Sequence, residues 1–307
     1  MRWIVTMAGA VCRPKRNWPA GERPSFPPRR NDDGGMTAAQ AKQLPDPVAL
    51  RSARHLDFFD FMFTRFFRKH MRALRVARWG LPELPAGKPV VIFANHPSWW
   101  DGVAFMLLYR RLLPHRPLFT PMDAKAIEKY RFMTRLGVFG IETGSARGSV
   151  AFLRVVEKVL ADPAHILWIN APGRFSDPRE RPVPIAPGMI RLPEIAPDAV
   201  FVPLALDYPF WSERKAEMLA AFGAPIPAGT LLEAPREARS ALLSDALAAV
   251  MEKLSADAIA RDPAAFQTLV QGQEGMGGIY QGWRRIKALL RGERFDPRHD
   301  PRAETAP

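Results

Sequence analysis

From Pro47 to Trp79 the apolar positions keep a helical period: Phe59, Phe63, Phe66, Phe67, His70 and Leu74 fall three or four residues apart and share one face. Phe58, Phe61 and Met62 widen that face, while Arg65, Arg68, Lys69, Arg72, Arg75 and Arg78 crowd the C-terminal half. The spacing predicts one amphipathic helix over 50–79. Six phenylalanines within 58–67 exceed what one packed stripe needs. A basic, Phe-rich helix fits the interfacial zone of an anionic bilayer, where rings insert and arginines meet phosphates.

Past Gly80 the period changes. Short, continuous apolar runs bounded by loops read as buried strands at Pro89–Ala94, Leu118–Pro121, Phe139–Glu142, Ile166–Asn170 and Val200–Asp207. Helical patterns separate them at 101–113, 124–136 and 149–160. This alternation predicts an α/β core over 88–226 with a mostly parallel central sheet flanked by helices. Pro203 lacks an N–H, so its strand should carry a bulge or lie at an edge. A helical C-terminal part is expected over 231–295, including a second basic-apolar helix at 278–290 with Trp283, Ile286, Leu289 and several arginines.

Residues 1–45 read as an unfolded, basic, Pro-rich tail, so the folded domain is expected over 46–307. Between Arg13 and Gly35 there are few aliphatics to bury, and Met36 stands as an alternative start to Met1. Trp3–Cys12 resembles a truncated signal sequence, but Thr6 interrupts it. No run approaches the roughly 20 apolar residues of a spanning helix, so a peripheral protein is expected. The formal charge is +13, and the seven basic and three acidic residues of 1–35 leave most of that excess on the remainder. Such a balance calls for an anionic partner. A nucleic-acid binder is suggested by charge alone and is not expected, because no reading motif or aromatic-basic sheet accompanies the charge. The single cysteine, Cys12, rules out an internal disulfide and a cysteine-zinc cluster, and fits a reducing compartment.

The sharpest chemical feature follows the first core strand: Asn95-His96-Pro97-Ser98-Trp99-Trp100-Asp101-Gly102. A histidine and an aspartate five apart, on a strand-to-helix turn, can fold back on each other. The carboxylate would accept one imidazole N–H and leave the other nitrogen as a base for a substrate hydroxyl. Asn95 and Ser98 flank the histidine and are candidates for substrate contact; no Gly-x-Ser-x-Gly elbow frames Ser98 as a nucleophile. His55, His70, His115, His165 and His299 lack metal-ligand spacing, so no metal is expected. The bland alternative makes Asp101 a helix cap and His96 a loop residue.

NHPSWWDG after a hydrophobic strand resembles the first motif of the glycerolphosphate and lysophosphatidic-acid acyltransferase superfamily, whose hallmark is His-x4-Asp. The resemblance runs from about Lys88 to Pro225, with GVFGIETGSARGS (137–149), WINAPGRFSDPRERP (168–182) and VFVPLAL (200–206) in the family's order. It implies an enzyme on the cytoplasmic face of a membrane that moves a fatty acyl group to a lipid hydroxyl. The donor would be acyl-CoA or acyl-carrier protein as co-substrate, with no resident cofactor. By the family pattern His96 is the general base and Asp101 its orienting partner. Gly173 and Arg174 match the third motif's glycine and basic residue, which help bind the acceptor's phosphate, and Arg147 falls near the middle motif's arginine. The third block departs from the family's Phe-Pro-Glu-Gly-Thr-Arg: Asn170-Ala171-Pro172-Gly173-Arg174-Phe175 lacks the acidic or amide residue before glycine. That departure puts glycerol-3-phosphate and lysophosphatidate in doubt as acceptors, and Arg179 and Arg181 join Arg174 as alternative phosphate contacts. A catalytically silent membrane-binding scaffold and a thioesterase remain the competing readings.

Overall fold

A computed structural model describes residues 46–142 and 144–273, with Lys287, Leu290 and Arg291. In chain order, α1 (Pro47–Leu50) and α2 (Ala53–His70) precede β1 (Ala73–Ala77), β2 (Val90–Ala94), α3 (Asp101–Leu112) and β3 (Leu118–Asp123). Then come α4 (Ala124–Lys129), β4 (Val138–Ile141), α5 (Ala146–Leu160), β5 (Ile166–Asn170), α6 (Leu192–Ile195) and β6 (Val200–Asp207). Finally β7 (Glu217–Phe222), β8 (Ile226–Pro227), α7 (Ala228–Leu232), α8 (Arg236–Ala260) and β9 (Phe266–Gln271) follow.

The strands form one sheet in the order β4-β3-β5-β2-β6-β7-β1-β9, with β8 beside β6. From β4 to β6 every pairing is parallel; β7 runs antiparallel to β6, and β9 antiparallel to β1. Side chains of β2 alternate between two cores, which explains its unbroken apolar run. Val91 and Phe93 face α5 and α8, whereas Val90, Ile92 and Ala94 face α2 and α3. Because β5 and β6 flank β2, the chain leaving β5 must cross it, and that crossing makes β2's carboxyl end a topological switch point.

The predicted helix over 50–79 is corrected. Arg51 and Ser52 interrupt it, α2 ends at His70, and residues 73–77 form β1 inside the sheet. Arg75 is buried there because its Nε meets Glu217 Oε2 at 3.1 Å and its Nη1 donates to Thr268 Oγ1 at 2.8 Å. Arg72 is buried too, so neither arginine belongs to a solvent-facing basic helix face. Within α2, Leu56, Phe59, Phe63 and Phe67 make the packed stripe, whereas Phe58 and Phe61 stand 57% and 65% exposed. Arg110 to Asp57 at 2.5 Å and Arg111 to Asp60 at 2.9 Å clamp α3 against α2.

Other boundaries shift. The helix expected at 124–136 is α4 followed by a 3-10 turn at Arg131–Leu136, and the one expected at 149–160 starts at Ala146. The helical C-terminal part is corrected by β9, which returns to the sheet at 266–271. Pro203 lies in an interior strand rather than at an edge. Its carbonyl accepts from Gly223 N at 2.8 Å, so its missing N–H faces the break between β7 and β8. The expected tail over 1–45 lies outside the described residues, as does the helix over 278–290 save Lys287 and Leu290. No helix among the described residues is long and apolar enough to cross a membrane.

Candidate active site

At the carboxyl end of β2 the backbone turns sharply, and buried Asn95 secures the turn. Its Nδ2 donates to the Leu206 carbonyl at 2.9 Å and its Oδ1 accepts from Leu206 N at 2.8 Å, joining the ends of β2 and β6. Asn95 is therefore a strut of the scaffold, not a substrate contact in this geometry. The chain then passes His96 and Ser98 and enters α3 at Asp101. His96 Nδ1 lies 2.5 Å from Asp101 Oδ2; the aspartate side chain is fully buried and the histidine side chain 19% exposed. Ser98 N donates to the same oxygen at 3.3 Å. Its own Oγ accepts from Trp100 N at 3.2 Å, so Ser98 serves the turn.

With the carboxylate ionised, the imidazole would donate from Nδ1 and keep the free lone pair on Nε2. The other carboxylate oxygen is also engaged: Tyr208, one residue past β6, donates its hydroxyl to Asp101 Oδ1 at 2.5 Å. Burial first, then the Asp101 charge, pushes the Tyr208 hydroxyl well above its ordinary pKa, so it remains a donor. Burial also raises neighbouring Asp207, partly offset by the hydrogen bond from Tyr208 N. Nothing in the spacing of the chain pointed to Tyr208; its only signal was its place just past a buried strand, where parallel sheets collect ligands.

The loop after β5 closes the other side. Ala171 N donates to the Ala94 carbonyl at 2.7 Å and Ser176 N to the His96 carbonyl at 3.0 Å, tying this loop to the histidine turn. Gly173 takes a φ of +66°, which a side chain would strain, and bends the loop back. Phe175 then lies over the imidazole with ring centroids 4.2 Å apart. Arg174 does not join the pair: it is 58% exposed and donates to Glu180 at 2.8 Å. Arg179 is held by Asp177 at 2.8 Å and Arg181 approaches Glu252 at 3.6 Å. Arg147 is exposed at the second position of α5, the helix that follows the edge strand β4. The structure thus brings together Asn95, His96, Ser98 and Asp101 and places Gly173 and Arg174 on the loop tied to that turn, with the Arg174 guanidinium paired to Glu180; Arg147 makes no hydrogen bond to any of them.

Aromatic residues form the rim. Trp100 stacks on Phe66 of α2 at 5.2 Å, Trp99 meets Phe66 edge-on at 6.2 Å, and Trp99 and Phe210 are exposed. Asn170 Oδ1, at the end of β5, is enclosed without a hydrogen-bond partner among the described residues. A crevice of about 540 Å³ lies at the opposite end of the sheet, against Pro89, Pro163 and Asp198, and contains none of these residues. No group of three or more His, Cys, Asp or Glu among the described residues is placed to hold a metal.

Residues 49–207, just over half of the chain, match the family model described as Acyltransferase. The match runs from α1 to the last residue of β6 and stops one residue short of Tyr208. No curated protein matches the chain. Among solved structures, the crystal structure of the 1-acyl-sn-glycerophosphate (LPA) acyltransferase PlsC from Thermotoga maritima is similar at 12% identity and a TM-score of 0.43. That likeness covers 66% of this chain and 79% of the other.

Proposed function

The chain belongs to the acyltransferase family, and on that premise we propose that it carries a fatty acyl group from an acyl thioester to a lipid hydroxyl, with His96 as general base. The observation that carries the reading is the 2.5 Å contact between a partly exposed imidazole and a fully buried carboxylate at the mouth of a parallel sheet. As the acceptor oxygen attacks the thioester carbonyl, its proton passes to His96 Nε2. Asp101 stabilises the imidazolium without taking the proton. Collapse of the tetrahedral intermediate breaks the C–S bond, and the imidazolium returns the proton to the leaving thiolate. The base is regenerated without an acyl-enzyme. Phe175 covers one face of the imidazole, so the hydroxyl approaches in the plane of the ring, where the lone pair points.

Peripheral attachment to an anionic membrane surface, on the cytoplasmic side, belongs to the same proposal. Phe58, Phe61 and Met62 project from α2 beside exposed Arg65, Arg68 and Lys69. The same helix reaches the histidine turn through Phe66, so a bilayer that takes up those rings lies next to the site. Arg174, Arg179 and Arg181 already face carboxylates, and an anionic headgroup would exchange against them. Solvent screens such exposed pairs, so the exchange costs little.

The test incubates the full chain with isotope-labelled palmitoyl-CoA and vesicles of bacterial lipid, following free thiol and lipid masses together. A labelled acyl ester that accumulates in step with thiol supports transfer. Thiol release with free palmitate and no new ester would mean hydrolysis and overturn the reading.

A further inference from the structure

Asp101 makes two unlike attachments, and only one belongs to the histidine pair. Its Oδ2 accepts from His96 and from Ser98 N, while its Oδ1 accepts from Tyr208 at 2.5 Å, and the side chain has no exposed surface. A donor at that distance on a buried carboxylate draws charge away from the oxygen that faces the imidazole. We propose that Tyr208 is a positioning residue for the reaction: its hydroxyl orients Asp101 and sets the pH at which His96 becomes a free base. This inference rests on His96 being the base.

The sign follows from what each group does for charge. Donation by Tyr208 favours ionised Asp101 and makes it a weaker counter-ion for imidazolium, so His96 gives up its proton at lower pH. Without the hydroxyl, Oδ1 is a buried acceptor with no donor. The carboxylate then holds a proton, or an imidazolium beside it, more strongly. Either way the form with a free Nε2 appears only at higher pH.

The surrounding charged groups do not duplicate this role. Asp207, from β6, accepts from Tyr208 N. Arg174 and Glu180, from the loop after β5, are paired with each other. His70, at the end of α2, lies behind Trp100, with ring centroids 6.3 Å apart, and burial lowers its pKa.

The test compares wild type, Tyr208→Phe and a chain carrying 3-fluorotyrosine at 208, a better donor of the same shape. Two readouts are used: the pH profile of palmitoyl transfer to bacterial lipid vesicles, and the NMR titration of the His96 ring without substrate. Tyr208→Phe should move the acid limb and the His96 midpoint up by about one pH unit, a tenfold loss of activity below the limb and little above it. Fluorotyrosine should move both downward, which keeps the test decisive if the Phe variant folds poorly. A uniform fall at all pH values, or midpoints unmoved in both variants, would overturn the inference. His96→Ala separates the two levels. If it stays active, the general-base reading fails; if it is inactive while the midpoints stand still, only the role of Tyr208 fails.

Discussion

Replacing Asp101 by asparagine probes the pair without changing its shape. Asparagine keeps one acceptor oxygen and gains an NH2 donor. If the NH2 faced His96, two donors would collide, and the imidazole would switch tautomer and lose its free Nε2. The structure offers a way out, because the partner on the other side is a hydroxyl. Tyr208 can rotate to accept from the NH2, leaving the amide oxygen for His96 Nδ1 and Ser98 N. The tautomer survives and only the charge is lost. Charge-assisted hydrogen bonds are worth about 1.5–3 kcal/mol against about 1 for neutral ones, and an imidazolium feels the missing charge more strongly still. We therefore expect kcat to fall about 10–10²-fold with KM nearly unchanged, less than the roughly 10⁴ of a serine protease whose histidine takes the wrong tautomer. With Tyr208→Phe added, only the long bond from Ser98 N favours the productive orientation, and kcat should fall about a further tenfold. Single-turnover transfer from labelled palmitoyl-CoA measures this, with thermal melts confirming that the variants fold. Activity of Asp101→Asn within threefold of wild type would refute the reasoning.

Asn95→Ala should lower stability by about 2–4 kcal/mol in urea unfolding, because the Leu206 N–H and carbonyl lose their partner in a closed site. Glu194 bridges Arg239 at 2.7 Å and Arg236 at 2.8 Å, and these bonds hold its pKa below the usual carboxylate range. A lowered folded-state pKa contributes stability above the unfolded value and loses it as pH falls through the folded one. Glu194→Gln should thus cost under about 1 kcal/mol at neutral pH, shrinking to nothing in acid; a constant difference from pH 7 to 3 would contradict the cause. Phe58→Ser with Phe61→Ser should leave thermal stability unchanged and cut sedimentation with anionic vesicles by about tenfold or more. Undiminished sedimentation would remove α2's outer face from the membrane proposal.

The α/β architecture was legible because β2, β5 and β6 are buried on both faces, and burial on both faces leaves an unbroken apolar run. Residues 73–77 were not, because His70 and Leu74 continue the spacing of α2, while Arg75 is made tolerable in a sheet by Glu217 and Thr268, far along the chain. Local period cannot report a partner 142 residues away. The strand β7 (Glu217–Phe222) escaped for a similar reason: its alanines carry little strand signal, and it exists by pairing with β1 and β6. At the site, the His96 and Asp101 spacing was readable because both lie on one turn. Tyr208 reaches Asp101 across 107 positions, and Arg174 turns toward Glu180 through loop geometry that no motif encodes.

The most direct measurement is the amount of labelled acyl ester formed by His96→Ala in a single turnover with palmitoyl-CoA and bacterial lipid vesicles. The account predicts a loss of at least about 10³-fold, with the melting temperature unchanged. Ester formation within threefold of wild type would contradict the assignment of the base and the mechanism built on it.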